Sequence, residues 1–183
     1  PTAVSRTCNT LRVLLINRLL FAISAQSAIT AFSVQSNINN FFVSLPSGIG
    51  MVVLMMSAIY AGEEDNESQK SLVSYAVLLC VIGIGCVSIL LLAGAPLISS
   101  IYLEKAPEII PIATSCVRCY AVSMPLYGIN MVMLNYFQGS GKSMYANMVC
   151  ILDNLLLLYG LAYTLGHRIG LIGVWISFPL AEL

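Results

Sequence analysis

Ser71-Leu72-Val73-Ser74-Tyr75-Ala76-Val77-Leu78-Leu79-Cys80-Val81-Ile82-Gly83-Ile84-Gly85-Cys86-Val87-Ser88-Ile89-Leu90-Leu91-Leu92 contains no charged residue. A transmembrane helix needs roughly 20 such residues to cross a bilayer core about 30 Å thick. Barrel strands would instead read as stretches of about ten residues with alternating polarity. In lipid, only helices and closed barrels satisfy every backbone polar group internally, so a continuous run of this length is a helix.

The rest of the chain repeats this pattern. Hydrophobic residues make up 58% and charged residues 9%, against about 25% charged in soluble domains. Mean hydropathy is +0.90. The expected fold is therefore all-α: a polytopic membrane helical bundle of about six transmembrane segments. We place them near 9–25, 28–61, 71–92, 108–137, 143–165 and 170–183. A break is expected at Ser24-Ala25-Gln26-Ser27, and a kink rather than a break at Pro46 and Gly48. Asp65 or Asn66 is expected to cap the third helix, with Glu67 in its first turn. Gly94, Pro96 and Ser99–Tyr102 are expected to close it. The last apolar stretch has only 14 residues, so the sixth helix reads as truncated, and the short first segment implies a missing beginning.

Charge excludes some functions. Eight basic residues balance eight acidic ones, leaving no clustered cationic face for nucleic acid. Basic residues in short loops set orientation. Arg6, Arg12, Lys70 and Lys142 would share one side, Lys105 and Arg168 the other, which favours a cytosolic Glu63–Lys70 loop. The six cysteines lie in or beside apolar runs. Cys116-x-x-Cys119 lacks a second ligand pair, so these thiols read as packing residues. Asn66-Glu67-Ser68 matches the glycosylation acceptor pattern and reads as a chance match in a cytosolic loop. Gly141-Lys142-Ser143 fails as a phosphate loop because Tyr136 stands where that motif needs glycine. His167 lies in a loop, and no reactive or metal-spaced cluster accompanies it, so no enzyme is expected.

Several stretches, in order, carry a resemblance: Ala28–Val34, Gly48, Gly62-Glu63-Glu64-Asp65, Arg118 followed by Pro125-Leu126-Tyr127, Gln138–Lys142, and Gly170–Trp175. With these the chain resembles one six-helix lobe of the multidrug and toxic compound extrusion (MATE) antiporters, from about Asn9 to Leu183. The Glu-Glu-Asp loop and the Gly-Val-Trp stretch ending in Glu182 look more like the C-terminal lobe. The resemblance implies half of a two-lobe transporter in the plasma (inner) membrane, with the chain as a single lobe. It implies export of cationic or amphiphilic small molecules in exchange for H⁺ or Na⁺, with no other cofactor. The partners it implies are the small-molecule substrate, the lipid bilayer and the missing second lobe. Sodium-type members often carry acids on the first and fourth helices of that lobe. Here Asn17, Asn130 and Asn135 stand there, leaving the coupling ion open.

Polar residues at bilayer depth are the candidate sites, since each ionisable one costs about 2.5–3.5 kcal/mol to insert. Asp153 lies about 15 Å into the fifth segment, and is the candidate cation or proton site. Arg118 reaches similar depth on the fourth segment. It is either the partner of Asp153, in a structural pair, or a substrate contact. Gln35 and Asn39, with Ser36 and Asn40 beside them, form a polar helical face that suits interhelical hydrogen bonding or cavity lining. Tyr120, Met124, Tyr127 and Met131 form a stripe for core packing or for flat cations. Asn130 and Asn154 are further cavity candidates. A lipid-linked oligosaccharide flippase is the alternative within transport, and a non-transporting scaffold or receptor the alternative outside it.

Overall fold

The structure is a computed structural model. It describes the backbone of residues 2–104 and 106–183, and the side chains of these except 2–6, 24–26 and 153–155. Among the described residues there is no strand. Helix α1 spans Thr2–Phe42 and α2 spans Ser44–Gly62. Helix α3, Asn66–Leu79, passes through a π-helical turn at Cys80–Ile84 into α4, Gly85–Tyr102. A 3₁₀ turn at Pro107–Ile109 opens α5, Ile110–Gly139. Helix α6, Ser143–Ile151, leads through a second π turn at Leu152–Leu157 into α7, Leu158–Ile169. Helix α8 spans Leu171–Ala181.

The expected break at Ser24–Ser27 is not a loop, because helical backbone runs through it. The chain nevertheless reverses within α1. Thirty residues of straight helix would hold Asn9 about 45 Å from Asn39, yet both line one cavity. Arg12, on the first limb, also acts electrostatically on Tyr120, whose hydroxyl bonds Asn39 on the second. The true discontinuity comes at Val43, and Pro46 explains it. Proline has no N–H to donate to the Phe42 carbonyl, while Val43 N and Ser47 N still bond Asn39 O and Val43 O at 2.8 and 3.1 Å. Helical hydrogen bonding thus continues across the junction of α1 and α2.

Helix α4 ends at Tyr102, within the stretch expected to close it, but Gly94 lies inside it and so does Pro96. Pro96 forfeits a single bond, to the carbonyl of Leu92, and unravelling in lipid would forfeit more. The helix therefore runs unbroken from Asn66 to Tyr102. Its outer face is apolar and open, with Leu90 71% and Ile101 69% exposed, the inverse of a water-soluble protein's surface. Its inner face packs on α5. Ser88 Oγ donates to Ala121 O across that seam at 2.5 Å. The π turn seats Cys80 and Ile84 against Gly128, where no side chain would fit without moving Ile84.

Helix α5 is the hub and touches α1, α2, α4, α6 and α8. The aromatic core stacks Phe178 between Trp175 and Phe32, each at 6.2 Å between ring centroids. Asp65 caps α3 by accepting from Ser68 N at 3.0 Å, with Glu67 in the first turn, as expected. Gly141, at φ 75°, makes the turn into α6, and Gly170, at φ 71°, the turn into α8. Ser140 and Lys142 share a recess with Glu64, Asn66 and Gln69, so the two polar loops lie at one end of the bundle. Arg168 ends the helix that leaves that recess. Lys105, expected at its end, lies outside the described residues.

Candidate functional site

One cavity of about 210 Å³ opens inside the bundle. Both limbs of α1 contribute to it: Asn9 and Arg12 from the first, Gln35, Asn39 and Asn40 from the second. Helix α5 adds Tyr120, Ser123, Tyr127, Asn130 and Met131, α8 adds Phe178 and Ala181, and Glu182 follows directly after α8. Val149 and Cys150 of α6 and Leu158 of α7 complete the apolar wall.

Each polar group is set by its helix. Asn39 falls one turn after Gln35, so the two share a face of α1. Tyr120 OH donates to Asn39 Oδ1 at 2.8 Å, a bridge between α1 and α5. Ser123 Oγ returns to Tyr120 O at 2.7 Å, which keeps that hydroxyl out of the cavity's donor set. Asn130 Nδ2 donates twice to Glu182, to Oε2 at 2.8 Å and to the backbone oxygen at 3.1 Å. An amide NH₂ has two such donors, so Asn130 clamps the carboxylate and the end of α8 together. Gln35 is 3% exposed and has no hydrogen-bond partner among the described residues.

The structure brings together Gln35, Asn39, Tyr127 and Asn130 among the sequence candidates. The Tyr120–Met131 stripe divides. Tyr120, Tyr127 and Met131 face the cavity, and Met124, 4% exposed, packs in the core. Arg118 does not join them. It stands exposed on the face of α5 that carries Pro111, Ser115 and Val122. The side chains of Asp153 and Asn154 lie outside the described residues, so an Asp153–Arg118 pair is not something this structure describes. Their backbone belongs to the second π turn, and Cys150 and Leu158 on either side of that turn both line the cavity.

Sequence reading missed Arg12 and Glu182 as cavity residues. Arg12 reads as a loop-flanking charge, but the structure sets it in the cavity and removes it from the orientation count. Glu182 carries a usable signal, being about 18 Å along a helix that starts near Gly170, where a carboxylate has to be accommodated by the protein. Among the described residues no group of three or more metal-binding side chains occurs. Cys116 and Cys119 are unbonded thiols in α5, the first fully buried. His167 Nδ1 lies 3.0 Å from Tyr163 O on the same helix.

The family model MatE matches residues 1–164. The chain belongs to the MatE family. Solved structures agree in fold. A MATE transporter crystallised in complex with MaL6 superposes with a TM-score of 0.94 at 20% identity, over 100% of this chain and 41% of that one. An outward-facing multidrug resistance MATE family transporter of the MOP superfamily gives 0.94 at 19%, over 100% and 41%. A MOP superfamily transporter from Pyrococcus furiosus Vc1 (DSM3638), described as having a binding pocket of reverse polarity suggesting a different function, gives 0.94 at 19%, again over 100% and 41%. This MatE chain thus spans about two fifths of the length of the structures it matches. No curated protein matches it. Its fold is that of part of those structures.

Proposed function

We propose that the whole protein is a secondary active exporter of cationic or amphiphilic small molecules, driven by exchange for H⁺ or Na⁺ at the plasma membrane. The observation that carries this reading is the polar cavity with its two charged groups, Arg12 and Glu182, inside a bundle that is otherwise apolar. Charges in a span cost about 2.5–3.5 kcal/mol each on insertion scales. A scaffold or receptor gives no reason to carry them there.

Size divides the labour. Pockets for drug-sized ligands run to about 300–1,000 Å³, and this cavity has about 210 Å³. It suits an ion or proton with a few waters, so the cargo is expected against the part of the transporter beyond this chain. Asp153 remains a candidate coupling group because the residues flanking its turn line the cavity. The flippase alternative asks for several basic groups around a pyrophosphate. Arg12 is the one Lys or Arg that lines the cavity among the described residues.

The test is ethidium efflux from pump-deficient cells expressing the full-length gene. The expected result is energised efflux that collapses when both the proton and sodium gradients are dissipated. Efflux unaffected by that treatment, or none despite protein in the membrane, would overturn the proposal.

A further inference from the structure

Arg118 is exposed on the outer face of α5, in line with Pro111, Ser115 and Val122. Neither it nor Arg168, exposed in the last turn of α7, has a hydrogen-bond or ion-pair partner among the described residues. A charge in a span normally faces the bundle interior or a partner. Arg118 is turned away from the cavity, so its counter-charge has to come from outside the described bundle.

The fold fixes its level. Asn130 of α5 bonds Glu182 at the end of α8, and α6 and α7 carry the chain back, so that α8 runs parallel to α5. Arg118 stands twelve residues before Asn130, and Gly170 twelve before Glu182. Arg118 is therefore level with the turn between α7 and α8. That turn exposes Arg168 and Ile169, and irregular backbone facing lipid stays out of the hydrocarbon. The turn thus marks one edge of the core. From Arg118 to Gly139, where α5 ends at the opposite turn, the helix rises about 32 Å, close to the ~30 Å of a bilayer core. No charged residue intervenes. Arg118 lies nearer the bilayer edge than the depth expected of it, at the height of lipid phosphates.

We propose that Arg118 holds the phosphate of an anionic phospholipid at this level, with Arg168 as the second cation. Charge names the occupant. A guanidinium binds phosphate through paired N–H donors, and two cations at a membrane edge favour a headgroup of net negative charge. The acid nearest Arg118 along the chain, Glu108, stands ten residues earlier, about 15 Å further from the core. On the core side of the two arginines the surface is apolar. Val122 of α5 and Ile172 and Ile176 of α8 are exposed there, a track for acyl chains. The inference does not rest on the transport reading, and either can fail while the other stands.

The test titrates purified full-length protein in mild detergent with phosphatidylglycerol, phosphatidylcholine or inorganic phosphate, and counts retained ligand by native mass spectrometry. Wild type is expected to hold a first phosphatidylglycerol about tenfold tighter than phosphatidylcholine, and not to retain inorganic phosphate. Arg118→Gln should weaken that first site about tenfold through loss of a charge-assisted contact, and Arg168→Gln should weaken it less. Lys70→Gln removes the same charge at the opposite end and should leave the site unchanged. Ser115→Glu sets a carboxylate one turn from Arg118 and should compete with the lipid, lowering affinity as Arg118→Gln does. This second variant decides should Arg118→Gln not fold. Wild-type affinity in the deciding variant, or an equal loss in Lys70→Gln, overturns the proposal. So does a wild type that holds inorganic phosphate or phosphatidylcholine as tightly. A wild type that retains no phosphatidylglycerol, as when an acid from the rest of the protein covers Arg118, overturns it too.

Discussion

Gly139 ends α5 with its α-carbon turned onto the Leu54 carbonyl and Ser57 of α2. A methyl group there would collide with backbone, which cannot rotate away. Gly139→Ala should therefore destabilise the bundle by about 1–3 kcal/mol. Gly160, on α7, meets nothing within 4 Å, so Gly160→Ala should be neutral, or stabilising by up to about 1 kcal/mol. Thermal unfolding of the detergent-solubilised full-length protein measures both, and equal midpoints for the two variants would contradict the packing described. At this scale the sequence shows depth but not direction. Gln35, Asn39 and Asn130 are legible because any polar residue in an apolar run draws attention. Arg118 has comparable depth, and its direction around α5 is what keeps it out of the cavity. Such a helix is apolar nearly all round, so periodicity carries little information about which face looks inward.

Among the elements, proline positions were harder to read than caps. Pro46 and Pro96 are alike in sequence, each within a long apolar run, yet only Pro46 marks a helix boundary. The sequence does not display that difference. The two π turns left no sequence mark either, although each is placed where side chains must be re-aimed, one onto Gly128 and one beside the cavity. The cap at Asp65 was legible because its chemistry is local. Its hydrogen bonds to Ser68 hold its pKa below the ordinary carboxylate value. A depressed carboxylate stabilises the folded helix start above its unfolded pKa, and that contribution fades as pH falls through the folded value. The first turn of α3 should thus stay protected at neutral pH and fray below about pH 4. Hydrogen exchange at the Ser68 amide checks this. Asp65→Ala should exchange faster already at pH 7, and an unchanged rate there would deny the cap.

Taken whole, the bundle has the fold of part of the MATE structures it matches, and its architecture follows from an alternation of long apolar helices that the sequence displays openly. The reversal inside α1 is less open. It emerges only because residues thirty positions apart meet at one cavity. The meeting of both α1 limbs with α5 and α8 is what encloses the polar cavity. The polar groups converge where the two limbs of α1 meet α5 and the end of α8. The central claim is that ion movement through such a protein drives export of a cation. Full-length protein reconstituted into liposomes, with a proton or sodium gradient imposed across them and tetraphenylphosphonium as cargo, measures that directly. The account predicts uphill movement of tetraphenylphosphonium that follows the imposed gradient and stops when nigericin or monensin removes it. Correctly folded protein that moves the cargo only downhill, at the same rate with either gradient or none, would contradict it.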